Sequence, residues 1–315
     1  MAQAMRLPFL LLAAAATAAP LLAQPATAPF QVRESGQGFA TLQEAIDAIG
    51  EGRGTILVAP GRYKQCAIQQ AGDITYAAAE PGTAGFERVA CEGKAALVLR
   101  GRSATIEGLI FDNIKVPDGN GAGIRLEQGN LTVRESLFRD SESGILSHND
   151  TASNILVERS TFSGLGRCDR GLDCAHSIYI GDYGSLTVRR VRFERGTGGH
   201  YVKTRAARVE VTDSSFDDTA GKTTNYMIDL PAGATGTIAR NVFVQGRGKE
   251  NHSAMIVVAA EGRTNSSDGL SVVQNDATLA PGMDKPTVLV ADLSGDSIGI
   301  DGNRLGKGVA RFERR

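Results

Sequence analysis

Asn130-Leu-Thr-Val-Arg-Glu-Ser-Leu-Phe138 and Ser185-Leu-Thr-Val-Arg-Arg-Val-Arg-Phe193 share one pattern: apolar and polar side chains alternate with period two, and the run closes on phenylalanine. Alternation at that period suits a strand buried on one face. Phe111, Phe138, Phe162, Phe193, Phe216 and Phe243 repeat the ending at spacings of 27, 24, 31, 23 and 27 residues, with polar or Gly-rich turns between. No intervening stretch carries the 3.6-residue period of a connecting helix. A repeat of this length without helices predicts a solenoid of coiled parallel strands, each coil burying its inward residues against the next and stacking at about 4.8 Å. Side chains distant in sequence become neighbours, so chemistry has to be sought in columns across coils.

The 315-residue chain has a formal net charge of −1, so charge alone selects neither nucleic acid nor a membrane surface as partner. There is no Trp, and 38 Gly suit many tight corners. Arg6, the apolar run Leu7–Ala19 and Leu21-Leu22-Ala23 read as an export signal over residues 1–23, cut near Ala23-Gln24. Pro8 and Pro20 interrupt that run, and no second one follows, so the mature chain is expected in the periplasm or outside the cell without membrane insertion. Four Cys in an exported chain favour disulfides. The local pairs Cys66 with Cys91 and Cys168 with Cys174 are the simplest of three pairings, and neither has the spacing of a zinc knuckle.

Residues 24–35, rich in Ala, Pro and Gln, read as a flexible lead-in to a single domain spanning 36–315. Leu42, Ala45, Ile46 and Ile49 share one helical face, and Thr41 with Glu44 forms a capping box in which hydroxyl and carboxylate each take a free backbone N–H. This helix is expected to plug the open end of the solenoid. Gly54–Tyr63 supplies the first strand and turn. The succession F-x-T-L-x-E-A-I at 39–46 and G-T-I-x-V-x-P-G-x-Y at 54–63 resembles the opening of the pectate-lyase-like superfamily of right-handed parallel β-helices. C-E-G-K-A-A-L-V-L-R-G at 91–101 and D-G-N-G-A-G-I-R-L-E at 118–127 are similar to exported bacterial β-helix repeat proteins. The resemblance implies an all-β, right-handed parallel β-helix. For function it offers lyases, hydrolases, esterases, epimerases, phage tailspikes and non-catalytic proteins.

Aligning coils on inward residues gives Ile124, Ile145, Ile178, Val202 and Tyr226, then Leu126, Ser147, Ile180, Thr204, Ile228 and Ile256. Alternation places Tyr179, Lys203, Met227 and Met255 in one outward column, with Arg125 and Leu146 earlier in it. A neighbouring outward column is expected to hold Glu127, His148, Gly181, Arg205, Asp229 and Val257. His176, His200, Thr224 and His252 lie four residues before Ile180, Thr204, Ile228 and Ile256, so three of the four His share a register. The outward face of such a sheet is a shallow groove that suits an extended polysaccharide. Lys203 and Arg205 project from one strand about 7 Å apart, within reach of one sugar unit. These cations suit an acidic sugar, and His176, Tyr179 and His200 add groups able to move protons.

Hydrolysis of a glycosidic bond needs two carboxyl groups roughly 5 to 10 Å apart. Glu127 and Asp229 are several coils apart, roughly 20 Å, so hydrolysis or epimerisation would need a carboxylate pair supplied by loops. β-Elimination on a uronate requires neutralising the carboxylate, removing the adjacent proton and protonating the leaving oxygen. The expected assignment is Arg205 on the carboxylate, Lys203 or His200 as base and Tyr179 as acid, with His176 beside them. Arg125, Glu127, His148, Asp229 and His252 are expected to bind substrate. Lys203 with Arg205 is similar to the Lys base and Arg acid that some β-helix lyases acting on alginate or dermatan-type chains use with calcium. No compact acidic run marks a calcium cage, and Asp118 with Asn120 reads as a Gly-rich turn.

Against these readings stand plainer ones. Arg205 with Asp229 would be a surface ion pair on adjacent coils, Lys203 a solvated residue, and His176 and His200 corner residues bonded to backbone. Residues 163–175, holding Asp169, Arg170 and Asp173 between Cys168 and Cys174, form either a groove wall or a stapled surface loop. The chain lacks a Walker loop and a dinucleotide fingerprint. The functional reading is therefore a lyase-like protein acting on acidic polysaccharide, with a non-catalytic carbohydrate-binding or envelope scaffold as the alternative.

Overall fold

The computed structural model describes residues 1–2 and 28–315; the expected export signal lies, but for its first two residues, outside them. Among the described residues the strands form three parallel stacks, sheets of 11, 10 and 10 strands. Every third strand joins the same sheet, and the chain visits the three in turn, which is the winding the repeat predicts. The ten-stranded sheet that contains Val202–Thr204 is called the front sheet below. The eleven-stranded sheet is the back sheet, and the other ten-stranded sheet is the side sheet.

The phenylalanines set the register of the side sheet. Phe86, Phe111, Phe138, Phe162, Phe193, Phe216 and Phe243 are direct partners from coil to coil and fully buried. Consecutive rings from Phe86 onwards stack with centroids between 4.7 and 5.9 Å apart. The turn from back sheet to side sheet uses a single residue at positive φ in successive coils: Glu135, Arg159, Arg190, Asp213, Arg240 and Gln274. A left-handed residue costs energy when it bears a side chain. Here each reversal aims its N–H at the next coil, as in Arg159 to the Arg189 carbonyl at 3.1 Å, which offsets that cost. The N–H that follows is met by a side-chain ladder: Ser160 Oγ accepts from Ser136, Asn241 Oδ1 from Ser214, and Asn275 Oδ1 from Asn241.

The helix Leu42–Ile49 forms as expected. Glu44 N–H donates to Thr41 Oγ1 at 3.2 Å and Thr41 N–H to Glu44 Oε2 at 3.0 Å, while Leu42, Ala45 and Ile46 are buried against the first coil. The lead-in expected through residue 35 is ordered earlier: Phe30–Val32 is a strand, antiparallel to Arg53–Val58. Two apolar residues two apart, Phe30 and Val32, both reach the core, and that burial outweighs the flexible composition around them. Both disulfides, Cys66–Cys91 and Cys168–Cys174, are present, which suits an oxidising compartment. No helix among the described residues is long and apolar enough to cross a membrane.

Candidate functional site

The front sheet aligns Arg125, Leu146, Tyr179, Lys203, Asp229 and Val257 as successive outward partners. Asp229 therefore stands beside Lys203, not beside Arg205 as the sequence alignment had it. The alignment took Tyr226 as inward, but Val202 pairs with Ile228, so this coil is displaced by two residues. A shift of two preserves the inside and outside parity and leaves no trace in the hydrophobic pattern. Met227 and Met255 need a second correction. Where the chain enters each front strand, two consecutive residues turn inward, and both methionines lie in the core beside Ile228 and Ile256.

The residue before that inward pair faces out, and this position holds His176, His200 and Tyr226. Their rings stack with centroids 4.9 and 5.5 Å apart. The same register gives Ala254, packed with Tyr226, in the place expected for His252. His252 instead sets Nε2 at 3.3 Å from the Arg247 carbonyl, outside the stack, and Thr224 is buried on Asp218. The expected three-histidine column is thus a pair capped by tyrosine.

Lys203 is only 7% exposed and Asp229 3%. The ammonium donates to Asp229 Oδ2 at 2.8 Å and to Glu261 Oε1 at 2.5 Å. Burial alone would push Lys203 down, but these two carboxylates outweigh it and hold the ammonium above its ordinary range. Lys203 is consequently a fixed cation at neutral pH rather than a free base. Arg205 bonds the other Glu261 oxygen and donates from Nη1 to the Tyr179 hydroxyl oxygen. The Tyr179 ring lies 5.9 Å from Lys203 Nζ and 5.3 Å from Arg205 Cζ, and meets His176 edge-on at 5.3 Å.

His176 Nδ1 accepts the His200 N–H at 2.9 Å, so its ring proton belongs on Nε2. His200 Nε2 lies 3.4 Å from Asp229 Oδ2, while its Nδ1 is buried without a partner. Burial, with Lys203 and Arg205 nearby, pushes His176 from 6.5 down to about 3. Burial, the His176 ring and Lys203 hold His200 well below its usual value. Both imidazoles are neutral in the folded protein at neutral pH, and below pH 6.5 they take up protons on unfolding. Their contribution to stability is complete above pH 6.5 and is lost as pH falls towards the folded value. Each should remove about 1.4 kcal/mol per pH unit below the unfolded pKa. Urea midpoints should thus fall from pH 7 to pH 4, with a shallower fall in His176→Gln; equal slopes in both proteins would contradict this.

Arg125 and His148 join Tyr179 and Arg205 around an open cleft of about 480 Å³. Asp173 and Cys174, the latter held in the disulfide with Cys168, line the same cleft. Asp169 and Arg170 face another cleft, of about 710 Å³, where Arg170 bonds the buried Glu142 at 2.5 Å. Glu127 lies beside Arg125 but is tied to it at 3.2 Å and to Lys94 at 3.1 Å.

The sequence missed Glu261. It follows the front strand Ala254–Val258, two strands along from Val202–Thr204, and reaches back to Lys203 on that earlier strand and to Arg205 just after it. Its only sequence signal is an acidic residue just after a strand. As for calcium, Lys203 Nζ already fills the space between Asp229 and Glu261, so these carboxylates do not fit a divalent ion. Elsewhere among the described residues, Cys168, Cys174 and Glu250 lie close together, but the thiols are spent in the disulfide.

Three parallel sheets wound about one core, with a polar cleft on one of them, define a parallel β-helix. The chain belongs to the family described as right handed beta helix region, which matches residues 95–278. No curated protein matches it significantly in sequence. Among solved structures it is similar to ORF18 of Geobacillus virus E2, with 15% identity over 86% of this chain and 55% of that one and a TM-score of 0.49. It is similar to the PL6 family alginate lyase AlyGC, with 14% identity over 82% and 40% of the two chains and a TM-score of 0.47. The Streptococcus pneumoniae surface protein and adhesin PfbA is similar too, at 12% identity over 87% and 94% and a TM-score of 0.43. The chain spans about half the length of the first two.

Proposed function

We propose that this protein engages uronate-containing polysaccharide in the front-sheet cleft and cleaves it by β-elimination. The observation that carries the reading is the Tyr179 hydroxyl, which lines the cleft while accepting a hydrogen bond from Arg205 beside the buried Lys203 cation. Arg205 pairs with the sugar carboxylate, and Arg125 lines the cleft beside it. Tyr179 takes the proton from the carbon beside that carboxylate, the electron pair forms the new C=C bond, and the bond to the leaving oxygen breaks. As Tyr179 takes that proton, its own hydroxyl proton passes to the leaving oxygen, so the phenol is regenerated as that bond breaks. An Arg donor on the phenolic oxygen stabilises the negative charge that develops there during transfer. Lys203 stabilises the charge on the carboxylate side, and His176 supports the Tyr179 ring.

Purified protein should release unsaturated, ultraviolet-absorbing ends from at least one member of a uronate-polymer panel, assayed with and without calcium. Tyr179→Phe should lose about 10²-fold or more in rate while still binding polymer. No cleavage of any polymer, or full activity in Tyr179→Phe, sinks the proposal; binding without cleavage would leave the scaffold.

One observation favours a second reading, hydrolysis. Asp229 and Glu261 share the Lys203 ammonium, which holds the two bonded oxygens within roughly 5 Å of each other, close enough for a retaining-glycosidase pair. Hydrolysis yields reducing ends without ultraviolet absorption, so one assay separates the two chemistries.

A further inference from the structure

The two carboxylates on Lys203 are not equivalent. Asp229 is buried and projects from the neighbouring front strand, so it is the fixed counter-charge of the buried ammonium. Glu261 has a side chain 48% exposed and arrives on the turn after Ala254–Val258, held by its N–H to the Pro231 carbonyl at 2.9 Å. Its Oε1 bonds Lys203 and its Oε2 bonds Arg205. Ion pairs this accessible to water are weak. Without Glu261, Lys203 would remain neutralised by Asp229. Arg205 would keep only the uncharged Tyr179 hydroxyl, leaving one positive charge at the edge of the cleft.

We infer that Glu261 is an internal competitor for acidic sugar, its carboxylate standing in for the sugar carboxylate between Lys203 and Arg205. This rests on the acidic-polysaccharide reading and deepens it. A uronate carboxylate is the same chemical group, with two oxygens at the same separation, so it can take over both bonds while Lys203 and Arg205 stay where they are. A neutral or esterified sugar offers hydroxyl or ester oxygens, which accept hydrogen bonds but bring no charge to replace the one displaced. Glu261 thus competes with anionic sugar units alone, and a neutral unit leaves its bridge to Lys203 and Arg205 closed. The same competition sets how tightly an acidic unit is held, because each ligand must first break the Glu261 bridge.

The test is titration calorimetry at pH 7 and fixed salt with polygalacturonate and with its fully methyl-esterified form, using wild type, Glu261→Ala and Glu261→Gln. Glu261→Ala should bind the acidic polymer about 3- to 10-fold more tightly than wild type, with its affinity for the ester unchanged. Glu261→Gln, which keeps the side-chain shape without the charge, should fall between. The exposed position makes both variants stable to fold, which their thermal unfolding checks. If wild type binds the acidic polymer and Glu261→Ala binds it no more tightly, the inference fails while the acidic-polysaccharide reading survives. If none of the three proteins binds the acidic polymer, that reading fails and the inference falls with it. Tighter binding of the ester by Glu261→Ala would overturn the inference as well, since it would show that Glu261 obstructs the cleft by bulk and not by charge.

Discussion

Lys203→Ala should destabilise the fold by about 3–5 kcal/mol, because removing one member of a buried pair leaves the other as an uncompensated buried charge. Among the described residues no other cation lies within bonding distance of Asp229, and its Oδ1 is already buried without a partner there. Burial presses it towards the protonated form once the ammonium is gone. The deficit should therefore shrink as pH is lowered, since protonation removes the charge that Lys203 neutralised. A double variant, Lys203→Met with Asp229→Leu, should recover most of the loss, because the cost comes from isolating a charge and not from forgoing the pair. Urea unfolding of the two variants at pH 7 and pH 5 measures all three effects. A loss under 1 kcal/mol, or one independent of pH, would show that water reaches Asp229 and that the patch is less enclosed than its exposure indicates. Activity separates the roles: Lys203→Ala should lose cleavage through the lost cation, and full activity in a folded variant would remove Lys203 from the mechanism.

The winding was legible because its signals are local and redundant. Each coil repeats a period-two strand closed by Phe, and a ring that fills the same volume in every coil sets the spacing by itself. The capping helix was legible for a similar reason: Thr41 and Glu44 state its start within four residues. The site was legible only in part. Tyr179, Lys203 and Arg205 lie on consecutive strands with clear alternation, and the structure brings them into contact. One coil further on, Tyr226 could be read as inward or outward, and parity gave no warning of the two-residue shift that moved Asp229 from Arg205 to Lys203 and His252 out of the stack. Glu261 was beyond reach. Its position depends on Ala259 at positive φ and on the path of a turn across two coils, neither of which leaves a mark in hydrophobic periodicity.

Phe162→Ala should cost about 3–5 kcal/mol, the range for deleting a fully buried aromatic ring. Phe162 stacks on Phe138 at 4.7 Å and on Phe193 at 5.2 Å, so the cavity would open between two rings whose positions are fixed by strand pairing. Backbone hydrogen bonds on both sides hold the coils apart at the strand spacing, and the neighbours cannot close the gap. Phe243 is the contrasting case. It stacks on Phe216 at 4.9 Å, but its partner on the other side is Ala277, so Phe243→Ala loses one ring contact where Phe162→Ala loses two and should be the milder change. In a solenoid each coil is stabilised mainly by its neighbours, so damage at Phe162 should weaken coupling between the two halves rather than lower stability evenly. Hydrogen exchange should then quicken most at Phe138 and Phe193, whose strands flank the cavity, and least near Phe86 and Phe243. Uniformly faster exchange along the whole chain would mean that the coils unfold as one unit and that the ring column does not couple them in series.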